Sequence, residues 1–307
     1  MSNLSVSVSP HIRAGATTRS IMLDVLVALV PAGLASILIF GPRALLVMIT
    51  CVFSCVLFEW VYQRAMKKPV TVSDSSAVVT GVILAYNLPV NIPLWQVVFG
   101  SAVAIILIKQ LFGGLGKNFA NPAVTARIVM ILAFSVTMTT GMQPFDGVSS
   151  ATPLALLARG DTAALPSLRE MLLGIHGGSL GETCTLALLL GGAYLMVRRV
   201  ITWHTPVAFI ATDIVFTWML GHDALYHALS GGLIIGAVFM ATDYVTTPHT
   251  ASGRLVFGVG AGLLTVIFRV YGSSPEGVSF AILLMNILTP YINKLTESKP
   301  LGAGKEQ

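Results

Sequence analysis

Charge is what this sequence has least of. Lys, Arg, Asp and Glu together make up 10% of its 307 residues, against roughly a quarter of an ordinary soluble domain. A soluble protein of this size needs a charged outer surface, and these few residues cannot build one. Cysteine is scarce as well: Cys51, Cys55 and Cys184 are the three present. An iron–sulfur cluster held by one chain usually needs four, and no disulfide framework is implied. Cys51 and Cys55 lie one helical turn apart in an apolar run and read as small core residues of a membrane helix. The sequence also lacks a Gly-rich dinucleotide turn following a strand, a catalytic triad and a metal-ligand set.

Apolar residues are abundant, at 55%, and the mean hydropathy is +0.83. The net charge of +5 does not indicate nucleic acid, because Lys and Arg fall in short clusters between apolar runs rather than along one face. The first run, Ser20–Phe40, is long enough to cross a bilayer at about 20 residues. It follows a polar leader with His11, Arg13 and Arg19, and reads as a retained helix rather than a cleaved signal. Further spans are expected at 44–63, 75–90, 94–111, 122–139, 184–197, 206–220, 228–242, 255–270 and 278–292. Asn87-Leu88-Pro89 and Thr246-Thr247-Pro248 are the expected helix breaks, which membrane depth tolerates only inside protein or beside a cavity.

Alternating these ten spans from a cytoplasmic N-terminus puts thirteen of the eighteen Lys and Arg inside, Lys109 among them. Arg43, Arg159 and Arg169 fall outside, and Arg127 and Arg269 lie within spans or at their ends. That is the bias of the positive-inside rule. The fold expected is all-α and polytopic, as two inverted sets of five helices. Residues 1–139 form the leader and helices one to five, 140–183 a long outer loop, and 184–307 helices six to ten with a cytoplasmic tail. An odd number of spans per half makes the second half insert upside down. Ala77, Gly81 and Ile83 match Ala228, Gly232 and Ile234 at a constant offset, although chance similarity of Gly-rich apolar helices explains this almost as well. Inverted repeats commonly place a binding site between their halves.

The long loop carries Asp146-Gly147-Val148-Ser149-Ser150-Ala151-Thr152-Pro153-Leu154. Thr152 before Pro153 reads as an N-cap with Pro at the first helical position, opening a helix over Leu154–Ala158. The stretch Asp-Gly-x-Ser-Ser-Ala-Thr also resembles the motif at which a flavin transferase links FMN to a threonine hydroxyl through a phosphoester. Membrane subunits with this motif are the D subunit of the Rnf complex and the related B subunit of the sodium-pumping NADH:quinone oxidoreductase. Ser9-Pro10-His11-Ile12-Arg13, Gly113-Gly114-Leu115-Gly116-Lys117-Asn118, Phe119-Ala120-Asn121-Pro122-Ala123, Ala241–Pro248 and Pro275–Ala281 resemble the same family in order and spacing. Reaching the first span by residue 20 favours the Rnf D type. Where the family often has Gly before Ala-Thr, this chain has Ser150.

The resemblance implies a bacterial inner-membrane subunit, with both termini cytoplasmic, of a ferredoxin:NAD oxidoreductase that moves Na⁺ or H⁺. It implies covalent FMN on Thr152, flanked by Asp146, Ser149, Ser150 and Ala151, and a non-covalent riboflavin among the helices. Implied partners are the other Rnf subunits, including a second covalent-FMN subunit on the outer face and Fe–S subunits, and a flavin transferase for maturation. Asn121 could hydrogen-bond the second flavin, and Gly81 could let its ring approach; a helix-start Asn and a packing glycine are the plain alternatives. Arg127 joins the candidate cofactor residues. Asp213, mid-span, is either part of an ion path or structural glue. Asp24 and Asp243 sit near cytoplasmic helix ends, and Glu59, His204, His222 and His227 are expected to be solvated at the interface. The rival readings are a small-solute channel or secondary transporter, which needs no flavin motif, and a structural scaffold, which leaves Asp213 unexplained.

Overall fold

The computed structural model describes residues 17–145, 149–272 and 276–297. Asp146 therefore lies outside the described residues. The helices are α1 (Thr18–Phe40), α2 (Pro42–Ala65), α3 (Ser76–Tyr86), α4 (Leu94–Ala102), α5 (Pro122–Ala133), α6 (Ser135–Thr139), α7 (Pro153–Arg159), α8 (Leu168–Leu173), α9 (Thr185–Val197), α10 (His204–Met219), α11 (Ala224–Leu229), α12 (Leu233–Ile235), α13 (Ala251–Tyr271) and α14 (Val278–Thr296). α4 runs on as a π-helix over Val103–Gln110, and α12 over Gly236–Met240. β1 (Gly141–Met142) and β2 (Ser149–Ser150) pair antiparallel within the long loop.

Local sequence explains most boundaries. Thr17 and Ser20 form a capping box that starts α1, satisfying backbone N–H groups that have no intrahelical partner. Gly41 ends α1, and Pro42 opens α2 at once, where its missing N–H costs nothing. Asn121 caps α5 by accepting from the N–H groups of Ala123 and Val124, again with Pro at the first turn. Four helices among the described residues are long and apolar enough to cross a membrane: α1, α2, α13 and α14. With the shorter apolar helices α3, α4, α5 and α9, they make a multi-pass membrane protein, whose exposed Leu, Val and Trp side chains suit lipid.

The long loop packs against one end of the bundle. Phe145 donates its N–H to the Ile39 carbonyl at the end of α1. Leu180 and Gly181 donate to the carbonyls of Leu88 and Tyr86, where α3 has stopped. The expected break at Asn87-Leu88-Pro89 is thus real, and a strap of the loop supplies its missing partners. Thr246-Thr247-Pro248 lies in an irregular connection rather than inside a helix. A break that the hydrophobic pattern does not show falls at Ser230-Gly231-Gly232, between α11 and α12, where Gly231 and Gly232 have φ of +62° and +67°. Only glycine adopts such angles cheaply. In the first part of the chain α2 lies on α3 and α4, and in the later part α10 lies on α11 and α13; α1 meets α9, and α5 meets α14.

Candidate functional site

Three places gather chemically capable groups. The first is the loop. Thr152 is the N-cap of α7, its hydroxyl accepting from the Ala155 N–H at 3.3 Å, with Pro153 at the first turn. β2 delivers the chain to it: Ser150 pairs with Gly141, and Met142 bridges to Gly178 on the strap. Thr152 and Ala151 are half-buried, while the Ser150 hydroxyl is enclosed without a hydrogen-bond partner. A cavity of about 460 Å³ opens beside them, with Ser150, Ala151, Pro153, Leu156, Ile175 and Glu170 among its walls. The Glu170 carboxylate accepts from the Ser167 N–H at 2.7 Å and the Ser167 hydroxyl at 2.9 Å. These bonds hold it below the usual carboxylate range.

The second place lies at the opposite end of the bundle, between the halves. A mostly apolar cavity of about 90 Å³ is lined by Ile83, Lys109, Asn118, Asn121, Phe239 and Asp243, among others. A polar cavity of about 230 Å³ shares Val200, Ile201, Thr242, Asp243 and Tyr244 with it. Asn121 reaches across to donate to the Met240 carbonyl. The Asn118 side-chain oxygen is buried without a partner, which makes it the freer ligand and one that its residue type alone does not single out. Gly81 is not in this cavity. A Cβ there would lie 2.8 Å from the Val52 Cα, so α2 takes the space a ring would need. Arg127 is also elsewhere: its guanidinium donates to the Asn87 side-chain oxygen and to Glu276, both at 2.5 Å, and faces Glu182 at 3.7 Å. Protein groups thus engage both Nη atoms, while the buried Nε has no partner, and Arg127 lies outside the walls of the cavities described above.

The third is a set of buried charges. Glu59, expected to be solvated, is fully buried and bonds Lys109 Nζ at 2.8 Å; Lys109 is 2% exposed, although the charge pattern places it among the cytoplasmic loops. Gln110 donates to the same carboxylate at 2.8 Å, and Lys109 also reaches the Ser76 hydroxyl. His227 is likewise buried, whereas His222 is exposed and His204 half-buried. Asp24 pairs with Arg198 and Tyr194 near the surface. Asp213 is fully buried, 3.6 Å from Arg269. Sequence could not show these pairings, because most of the partners lie 50 or more residues apart.

Residues 5–302 match the family model described as the NQR2, RnfD, RnfE family. The chain belongs to that family. Among its relatives, the D subunit of the Na⁺-translocating ferredoxin:NAD⁺ oxidoreductase complex of Acetobacterium woodii is 48% identical over 99% of this chain and 96% of the relative. The D subunit of the proton-translocating ferredoxin:NAD⁺ oxidoreductase complex of Clostridium ljungdahlii is 40% identical over 97% of this chain and 96% of its own length. The D subunit of the ion-translocating oxidoreductase complex of Ectopseudomonas mendocina is 35% identical, covering 97% and 95%. Two similar family members are thus named for different ions.

Proposed function

We propose that this chain is the D-type membrane subunit of an ion-translocating ferredoxin:NAD⁺ oxidoreductase complex, carrying FMN as a phosphoester on Thr152. The observation that carries the reading is the motif ending in Thr152, set at a helix N-cap beside a cavity, in a chain whose family members bear the names above. The residues present fit the group. Thr152 supplies the hydroxyl, Ala151 and Ser150 keep the approach unobstructed, and the unpartnered Ser150 hydroxyl is a donor next to the attachment point. Apolar walls from Pro153, Leu156 and Ile175 suit a flat ring, and Glu170 gives the cavity a polar edge. FMN supplies the redox chemistry; the chain anchors it, screens it from water on one side and fixes where it sits.

We assign riboflavin, as a second and non-covalent flavin, to the two opposite cavities, which adjoin one another. Asn118 and Asn121 offer amide groups there, and Ile83 and Phe239 offer apolar faces. Ten spans in two inverted sets of five, with the long loop outside and both termini in the bacterial cytoplasm, agree with the charge bias. Other Rnf subunits, among them a second covalent-FMN subunit and Fe–S subunits, provide the donors and acceptors this chain lacks, and a flavin transferase installs the FMN. Fluorescence that stays with the denatured polypeptide on a gel supports the reading. Its absence from protein co-expressed with the transferase favours a channel or secondary transporter instead.

A further inference from the structure

Asp213 and its surroundings differ from a structural ion pair in one measurable respect. Both carboxylate oxygens are buried and neither has a hydrogen-bond partner. Four residues on, the Thr217 hydroxyl is fully buried and equally unpartnered, and that spacing puts both on one face of α10. Arg269 comes within 3.6 Å of Asp213, but its Nη groups donate elsewhere and its buried Nε has no partner. Nη1 donates to the His227 carbonyl at 2.6 Å, and Nη2 to the Ser230 carbonyl at 2.8 Å, with the Gly231 carbonyl at 3.5 Å. These carbonyls end α11, where helix geometry leaves C=O groups unpaired and the dipole negative. In the other half the corresponding pair is complete: Glu59 accepts from both Lys109 and Gln110 at 2.8 Å. A pair built only for stability has that form.

Unwound backbone carbonyls and half-helix C-terminal ends coordinate Na⁺ in broken-helix transporters, and here a buried carboxylate and hydroxyl add hard oxygen donors of the kind such a cation takes. We propose that these oxygens form a binding site for a desolvated Na⁺-type monovalent cation, with the Arg269 guanidinium as its resident competitor. A metal ion entering the cage takes over the carbonyls and the carboxylate, and the guanidinium yields them. The proposal rests on the ion-translocating function above. The site also touches the flavin-bearing turn, because a Cβ at Gly231 would meet both Leu154, two residues beyond Thr152, and Arg269 Nη2. Gly232 similarly abuts Glu182 and Arg127. α7 thus packs directly on the turn that carries the carbonyl cage.

The test uses the purified, reconstituted complex, with ferredoxin-to-NAD⁺ electron transfer followed as Na⁺ replaces K⁺ at constant ionic strength. Thr217→Val is the decisive variant, since its hydroxyl makes no hydrogen bond in the fold and its volume is nearly kept. It should raise the Na⁺ concentration for half-maximal rate at least tenfold with covalent flavin unchanged, and Thr217→Ser should restore it. Asp213→Asn should abolish the Na⁺ response, and Arg269→Gln should make the thermal midpoint rise with Na⁺ at concentrations that leave the unaltered complex unmoved. An unchanged Na⁺ response in flavinylated Thr217→Val overturns the proposal. So does a shift in pH profile alone, which would make Asp213 a proton carrier. If the unaltered complex turns over without any Na⁺ dependence, the site fails while the assignment as an Rnf subunit stands; absence of ferredoxin-linked turnover would fail that assignment instead.

Discussion

Replacing Lys109 with Met should strand a carboxylate inside the bundle. Lys109 and Glu59 are 2% and 0% exposed, and Nζ lies 2.8 Å from Oε2. Removing one partner of a buried pair costs about 3–5 kcal/mol. Gln110 at 2.8 Å and Gln63 at 3.4 Å still solvate Glu59, so the lower end, about 3 kcal/mol, is expected. Glu59→Gln with Lys109→Met removes both charges and keeps an amide for Gln110, leaving about 1 kcal/mol for the lost hydrogen bonds. The two single changes should therefore sum to well above the double, with coupling of about 2–3 kcal/mol. Unfolding in mixed micelles, followed by the fluorescence of the four tryptophans, measures all four corners of the cycle. Additivity to within about 0.5 kcal/mol would refute the claim that this pair is energetically coupled inside the protein.

Cysteines introduced at Ser149 and Ser298 should react with an impermeant thiol reagent from opposite sides of the membrane; labelling of both from one side would end the ten-span topology. Asn118→Leu should deplete acid-extractable riboflavin while leaving covalent flavin in place, since the Asn118 oxygen has no other partner; equal riboflavin in both proteins would move the second flavin elsewhere. Glu170 titrates below its ordinary value of 4.5 because Ser167 bonds the carboxylate. Its capping box is therefore fully stabilising above that ordinary value and is lost as pH falls through the lowered one. The protection factor of the Glu170 amide, the exchange rate of an unstructured amide at the same pH divided by its own, should fall over that acid range and stay level near neutrality.

Much of the architecture is legible because bilayer thickness and backbone hydrogen bonding leave few options. Ser20–Phe40 needs only its length to be recognised, and Thr152-Pro153 writes its own helix start in two residues. The break after Tyr86 is marked by Asn87 and Pro89. The break at Ser230-Gly231-Gly232 carries a turn signal, but its apolar neighbours on both sides read as one continuous helix. Side-chain pairing is the illegible part. Glu59 at a helix end resembles a solvated interfacial residue until the π-helical extension of α4 brings Lys109 onto it, and Arg127 is claimed by Glu276 from the far end of the chain. Gly81 shows that a small residue is needed without showing that α2 rather than a ligand fills the space.

The account stands most directly on the bond at Thr152, and intact-protein mass spectrometry reads it. The unaltered protein, co-expressed with its flavin transferase, should weigh more than its polypeptide by one FMN less one water. Thr152→Ser should retain part of that adduct, because it keeps the hydroxyl. Thr152→Ala should return to the bare polypeptide mass while remaining in the membrane, at a folding cost of about 0.5–2 kcal/mol for the lost cap. An FMN adduct that persists on the Ala variant, or none on the unaltered protein, would contradict the account.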